Sequence, residues 1–304
     1  MEFVILPRPP YDFARVIQRC SREPFYHVNE EGDELSFAVR IKHSLVEENW
    51  KPVVCVLTNE GTVDTPQIRV TVKGDTLTSA DQNWLQHHLN QRFQWQTDVL
   101  VRFYQAVHSY PPLRRLTHHL RGLPLIQDEG IYEGLVQTII QQQLNFSFAR
   151  QLSRNLARFY GQTISCDGQE YLLLPTPAQL AALTIEELRQ HKFSARKAEY
   201  IINVGRKVAS GELNLTELAQ LDNEAFIDRL TREKGIGLWT AECVLLFCLA
   251  RPNLFPAADI GLRNALQKLE QLERRPEPEE CREWVKPYAD WASYVTIYLW
   301  GSLG

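Results

Sequence analysis

Hydrophobic and polar positions follow two different periods along the chain, and the change falls near residue 98. In the first third, apolar residues recur at alternate positions or in short runs: Phe3 to Leu6, Glu34 to Ile41 with Leu35, Phe37, Val39 and Ile41, then Val53 to Leu57, then Ile68 to Val72. Period-2 alternation is the pattern of strands, so these segments predict an antiparallel sheet with one covered face. Two stretches of helical spacing can cover it, Asp12 to Cys20 and Ser79 to Phe93. The second starts on Ser79-x-x-Gln82, a capping-box pattern, and repeats Leu85, Leu89 and Phe93 along one side.

Beyond residue 98 the spacing is helical, over Val99 to Val107, Tyr132 to Tyr160, Thr184 to Gln190, Ala195 to Ala209, Asn223 to Thr231, Leu238 to Ala250, Ile260 to Leu272 and Pro287 to Trp300. Some ends are legible: Thr184-x-x-Glu187 is a capping box, Gly211 a helix stop, and Pro252 and Pro256 bracket a loop. Glu270 to Glu280 (EQLERRPEPEE) reads as a solvated loop. The expected organisation is an α/β domain over residues 1–98 and a helical region over 99–304.

Composition narrows the class. With 304 residues, 44% hydrophobic and 23% charged, the chain has material for a sizeable core and two or three domains. No apolar run reaches 18 residues, and the start MEFVILPRPP lacks a basic segment and a small-residue cleavage site; the expectation is a cytoplasmic protein without a membrane partner. Cys20, Cys55, Cys166, Cys243, Cys248 and Cys281 show no CxxC spacing, which predicts reduced, mostly buried thiols and no metal site. A net charge of −4 argues against nonspecific coating of nucleic acid but leaves a local basic face open.

The chemistry concentrates in two places. Gly235 and Gly237 lie between a helical segment ending near Thr231 and one beginning near Leu238. Such a turn presents backbone N–H groups at the positive end of a helix dipole, a phosphate-binding arrangement that side-chain-free residues let a DNA backbone approach. Taken alone, it is also what an ordinary helix-turn-helix corner looks like. Eighteen residues after Ala241 comes Asp259, at the end of Phe255-Pro256-Ala257-Ala258 and just before an apolar helix, where by itself it reads as an N-cap.

Together, Gly235-Ile236-Gly237-Leu238-Trp239-Thr240-Ala241 and the downstream Pro256-Ala257-Ala258-Asp259 resemble the helix-hairpin-helix DNA glycosylase superfamily, and within it the bacterial 3-methyladenine DNA glycosylase II branch. Ile139 to Leu144, Arg196 to Ile201 and Trp291 to Trp300 support the resemblance, which spans nearly the whole chain. It implies a small amino-terminal α/β domain like half of the TATA-binding saddle, then two helical domains with the active site between them and the helix-hairpin-helix near residues 226–250. It further implies action on damaged double-stranded DNA, flipping out alkylated bases of the 3-methyladenine or 7-methylguanine type and hydrolysing the glycosidic bond; a monomer is the simplest expectation for the oligomeric state.

By the same resemblance Asp259 is the catalytic carboxylate, Trp239, Trp300 and Cys243 belong to the base pocket, and Gln143 is the wedge that fills the gap left by the flipped nucleotide. Trp300 also reads as core packing, and Gln143 as a polar residue on a buried helix. Lys234, Gly235 and Gly237 are the expected DNA contacts, with Lys192, Arg196 and Lys197 as further candidates for phosphate. Lyase-competent members carry a lysine where this chain has Trp239, so no backbone cleavage is expected. No cofactor is required; the hairpin carbonyls are a candidate site for a monovalent cation.

Several residues depart from the family pattern. A pocket tyrosine of relatives is Cys243 here, an arginine of their final helix is Ala292, and Asn145 stands where serine is common. The sequence runs to Gly304 without the four-cysteine extension of other branches. Three other readings stay open: a glycosylase for oxidised or deaminated bases, a DNA-damage binding module without activity, and a plain helical protein-interaction domain, which would leave the hairpin glycines and the Asp spacing as coincidences.

Overall fold

The computed structural model describes residues 1–42 and 50–303. The amino-terminal part runs β1 (Glu2–Ile5), α1 (Phe13–Cys20), β2 (Tyr26–Val28), β3 (Glu34–Ile41), β4 (Lys51–Asn59), β5 (Ile68–Lys73) and α2 (Ser79–Phe93). Its five strands form one antiparallel sheet in the order β1-β5-β4-β3-β2, with Leu35 opposite Leu57, Phe37 opposite Cys55 and Val39 opposite Val53. One face packs on α1 and α2: Phe13, Val16 and Ile17 together with Leu85, Leu89 and Phe93 close over Leu35, Phe37, Val39 and Ile41. The capping box of α2 sits one residue earlier than its pattern suggested, formed by Thr78 and Asp81.

The other face of the sheet is not open, which corrects the expectation of one covered face. Ala38, Val54 and Val56 are buried beneath Tyr171 and Leu173. These come from a hairpin, β6 (Gln162–Cys166) and β7 (Gln169–Leu173), lying inside the region read as wholly helical. Its turn is Asp167-Gly168, both at positive φ (49° and 77°), the conformation that an Asp-Gly pair favours between two short strands.

The remaining chain is helical: α3 (Val99–Val107), α4 (Pro111–His119), α5 (Ile131–Gln141), α6 (Phe146–Tyr160), then after the hairpin α7 (Pro177–Ala181), α8 (Ile185–Gln190), α9 (Ala195–Ala209), α10 (Leu215–Gln220), α11 (Asn223–Thr231), α12 (Leu238–Leu249), α13 (Ile260–Glu270), α14 (Pro278–Val285) and α15 (Ala292–Gly301). The periodic run 132–160 is broken into α5 and α6, because Gln143 takes a left-handed backbone (φ 55°) and Asn145 caps α6 by accepting from Phe148 N–H at 2.9 Å. That cap accounts for Asn145, since serine and asparagine cap equally well. The loop expected over 270–280 is shorter, with a capping box from Glu277 and Glu280 starting α14. The run 287–300 is likewise divided, a 3-10 turn over Lys286–Trp291 preceding α15. These helices share a second, larger core that includes Phe103, Leu135, Ile201, Phe226, Val244 and Tyr298.

Candidate functional site

Asp259 is set by the loop that precedes it. Ser293 N–H donates to Pro252 O (2.9 Å), Leu254 N–H donates to Ser293 Oγ (3.0 Å), and Asp259 N–H returns to Pro256 O (2.8 Å). The carboxylate caps α13, with Oδ1 accepting from Leu262 N–H at 2.7 Å. The same oxygen accepts from Trp300 Nε1–H at 2.9 Å, so among the described residues Oδ2 is left without a hydrogen bond. Asp259 is therefore the N-cap that its position suggested, held from both sides by its first oxygen.

Trp300 is half-buried and stacks on Phe247, ring centroids 5.6 Å apart and planes 14° from parallel. Phe247 was missed in the sequence, although its signal is there: Trp239, Cys243 and Phe247 recur at i, i+4 and i+8 and share one face of α12. All three line, with Asp259 and Trp300, a cavity of about 560 Å³. The cavity was expected between two helical domains; it also reaches the α/β part, where Arg19, Tyr26 and Arg92 form its wall. Burial pushes the Cys243 thiol well above its ordinary range, with Asp259 adding to the effect. Trp239 Nε1 is buried without a protein partner among the described residues. Ala292, by contrast, is buried in the core of α15.

The two hairpin glycines differ in kind. Gly235 has φ +88°, and a Cβ there would come 2.3 Å from the ring of Tyr200, so its missing side chain makes room for protein rather than for DNA. Gly237, at φ −101°, is the uncapped N-cap of α12 and faces open space. The turn is clamped from α5: Gln142 Nε2 donates to Gly235 O (2.9 Å) and to Thr240 Oγ1 (2.8 Å). Gln143 is not on a helix, as one reading had it, but exposed in the break after α5.

Of the candidate basic contacts, Lys197 turns inward and caps the end of α5, donating to Ile139 O (2.7 Å) and Gln142 O (2.8 Å); burial lowers its pKa to about 8. Those carbonyls, orphaned by the end of the helix, accept from the ammonium, yet burial leaves its charged form less favoured than in water. Lys192, Arg196 and Lys234 are exposed, Lys234 in an ion pair with Glu199 at 2.5 Å.

The model of the HhH-GPD superfamily base excision DNA repair proteins matches residues 136–289, the stretch that carries the Gln142 clamp, the hairpin and Asp259. The "Putative DNA-3-methyladenine glycosylase YfjP" of Bacillus subtilis (strain 168) is 34% identical over 97% of this chain and 96% of its own length. The DNA-3-methyladenine glycosylase of the same organism is 34% identical over 66% of each chain. In fold, the chain is similar to the 3-methyladenine DNA-glycosylase from Archaeoglobus fulgidus, at a TM-score of 0.82 and 24% identity over 98% of this chain and 97% of that one. The chain belongs to the HhH-GPD superfamily of base excision DNA repair proteins.

Proposed function

We propose that the protein is a DNA glycosylase that removes alkylated purines from duplex DNA in base excision repair, by hydrolysis and without strand cleavage. The observation that carries this reading is Asp259, fixed through Oδ1 by Trp300 and by the start of α13 while it lines a cavity with aromatic walls. Breaking an N-glycosidic bond builds positive charge on the sugar, and a fixed carboxylate stabilises that charge or orients the attacking water. Relatives whose names state 3-methyladenine as the base released support the substrate class.

An N-alkylpurine already carries positive charge and leaves without strong acid catalysis. The target base must first leave the stack, at a cost of a few kcal/mol. The stacked rings of Phe247 and Trp300 and the indole of Trp239 offer faces for it, and cation–π contact with a charged base returns about 0.5–2 kcal/mol. Outside the cavity, the open N-terminus of α12 at Gly237 would bind a phosphate, with Lys234 beside it, and Gln143, exposed on its turn, would fill the vacated stack. Trp239 supplies no amine for a Schiff base, which supports hydrolysis alone. No cofactor enters the scheme; a monovalent cation at the hairpin would share Gly235 O with the Gln142 amide.

The test is base release from methylated duplex DNA by the wild type and by Asp259→Asn. The expected result is free 3-methyladenine or 7-methylguanine from the wild type only, with abasic but unbroken strands and no adduct trapped by borohydride. Release of an oxidised or deaminated base with methylated DNA untouched would overturn the substrate assignment; trapped adducts would overturn the hydrolytic one.

A further inference from the structure

A second carboxylate shares the cavity with Asp259. Asp128 lies in the segment between α4 and α5, half-buried and part of the cavity wall. Its N–H donates to Phe247 O at 2.8 Å, which ties it to the residue whose ring stacks on Trp300, and Trp300 in turn holds Asp259. Contacts thus run without a gap from one carboxylate to the other along the aromatic wall. The small Cys243 side chain lies on the same wall, and its thiol feels the charge of both.

The placement of Asp128 is built rather than incidental. Its Oδ2 packs against α5 where Gly134 has no side chain: a Cβ there would come 2.8 Å from Oδ2 and 2.2 Å from Cys248 Sγ. A glycine inside a helix costs about 0.5–1 kcal/mol relative to alanine, and here the bare position accommodates the carboxylate and the thiol. Yet that carboxylate forms no ion pair among the described residues; Cys248 Sγ, a weak donor at 3.9 Å, is its recorded side-chain partner. The cations that act on it make other contacts, Arg19 with Glu23 at 3.1 Å and Arg92, through one nitrogen, with the Tyr26 hydroxyl at 2.6 Å. Burial, reinforced by Glu23, pushes the Asp128 carboxyl up to about 6, a shift that a cation placed against it would oppose.

Resting on the alkylpurine reading above, we infer that Asp128 reads the extruded base: its carboxylate accepts a hydrogen bond from a ring or exocyclic N–H of a cationic purine and selects such bases over neutral ones. A charge-assisted bond in a site shielded from water is roughly twice as strong as a neutral one, and a neutral lesion forgoes that difference. Asp259 acts on the sugar and Asp128 on the base, so the two carboxylates divide the positive charge of the reacting nucleoside.

Single-turnover release of 7-methylguanine and of hypoxanthine from matched duplexes tests this in the wild type, Asp128→Asn and Asp128→Ala. Asparagine keeps an acceptor and loses the charge. The expected result is a fall of about tenfold or more in the ratio of 7-methylguanine to hypoxanthine release with Asp128→Asn, with a further fall for Asp128→Ala. The thermal midpoint and the affinity for a duplex holding a tetrahydrofuran abasic analogue report fold and DNA contact separately. An unchanged ratio, whether both rates hold or fall together, overturns the role of Asp128 and leaves the proposed function standing. Absence of 7-methylguanine release from the wild type overturns this inference, and absence of 3-methyladenine release as well overturns the proposed function with it.

Discussion

The two hairpin glycines should respond to the same substitution in opposite ways. At Gly235 an alanine must hold φ near +88° and place its methyl 2.3 Å from the Tyr200 ring. The left-handed backbone costs an L-residue about 1–2 kcal/mol, and forcing a methyl into a filled site costs typically about 1–3 kcal/mol. Gly235→Ala is therefore expected to lose about 2–5 kcal/mol, a large share of a typical domain stability of about 5–15 kcal/mol. At Gly237 nothing lies within 4 Å and φ is −101°, so alanine there costs no more than the difference between two uncapping residues, under about 1 kcal/mol. Its methyl would instead stand where a phosphate approaches the N-terminus of α12. Equilibrium urea unfolding and fluorescence anisotropy with an abasic-analogue duplex separate the two effects. Gly235→Ala should lower the urea midpoint, and Gly237→Ala should hold it while weakening DNA binding about tenfold, equivalent to about 1.4 kcal/mol. A Gly235→Ala variant as stable as the wild type, or a Gly237→Ala variant equally destabilised, would refute this division of labour.

Three further outcomes are expected. Asp259→Asn keeps an N-cap acceptor for Leu262 N–H and should unfold near the wild-type midpoint, whereas Asp259→Ala loses about 1 kcal/mol of cap stability; both should abolish base release, and activity retained by either variant would exclude Asp259 from the chemistry. Gln142→Ala removes the donors to Gly235 O and Thr240 Oγ1, and leaving such buried acceptors unpaired costs about 1–3 kcal/mol; amide exchange in the hairpin should accelerate and DNA affinity fall, and protection equal to the wild type would show that the clamp is dispensable. Glu242 is buried on α12, its Oε2 lacks a partner among the described residues, and burial pushes its carboxyl up to about 7. A carboxyl raised on folding costs stability as it ionises: the cost is absent below its unfolded pKa, grows as pH rises towards 7, and is complete above that. Glu242→Gln should accordingly stabilise the protein at pH 8 by up to about 3 kcal/mol and by much less at pH 5; urea midpoints at the two pH values check the sign, and equal gains at both would refute it.

What the sequence determined by itself is what near neighbours along the chain decide. Alternation marked β3, a short apolar run marked β4, helical spacing marked α9 and α11 to the residue, and a glycine motif followed by an aspartate at a set distance pointed to Asp259 and the family. The Asp167-Gly168 turn and the i, i+4, i+8 face that carries Phe247 were also written in adjacent residues, though the sequence reading passed over both. What lay beyond reach depends on contacts between residues far apart in the chain. Strand β3 alternates whether or not its second face is covered, and that was settled by Tyr171 and Leu173, more than a hundred residues later. A lysine at 197 reads as a surface charge until the end of α5 presents Ile139 O and Gln142 O to it. Gly235 is glycine in the motif, but Tyr200 supplies the reason. Asp259 becomes a held carboxylate only when Trp300, 41 residues on, reaches its oxygen, and Asp128 stands apart from every motif until Phe247 and Gly134 close around it. Backbone periodicity and turn chemistry are local energies written in adjacent residues, whereas the direction of a long side chain and the burial of a charge are set by whichever surface the folded chain brings against them.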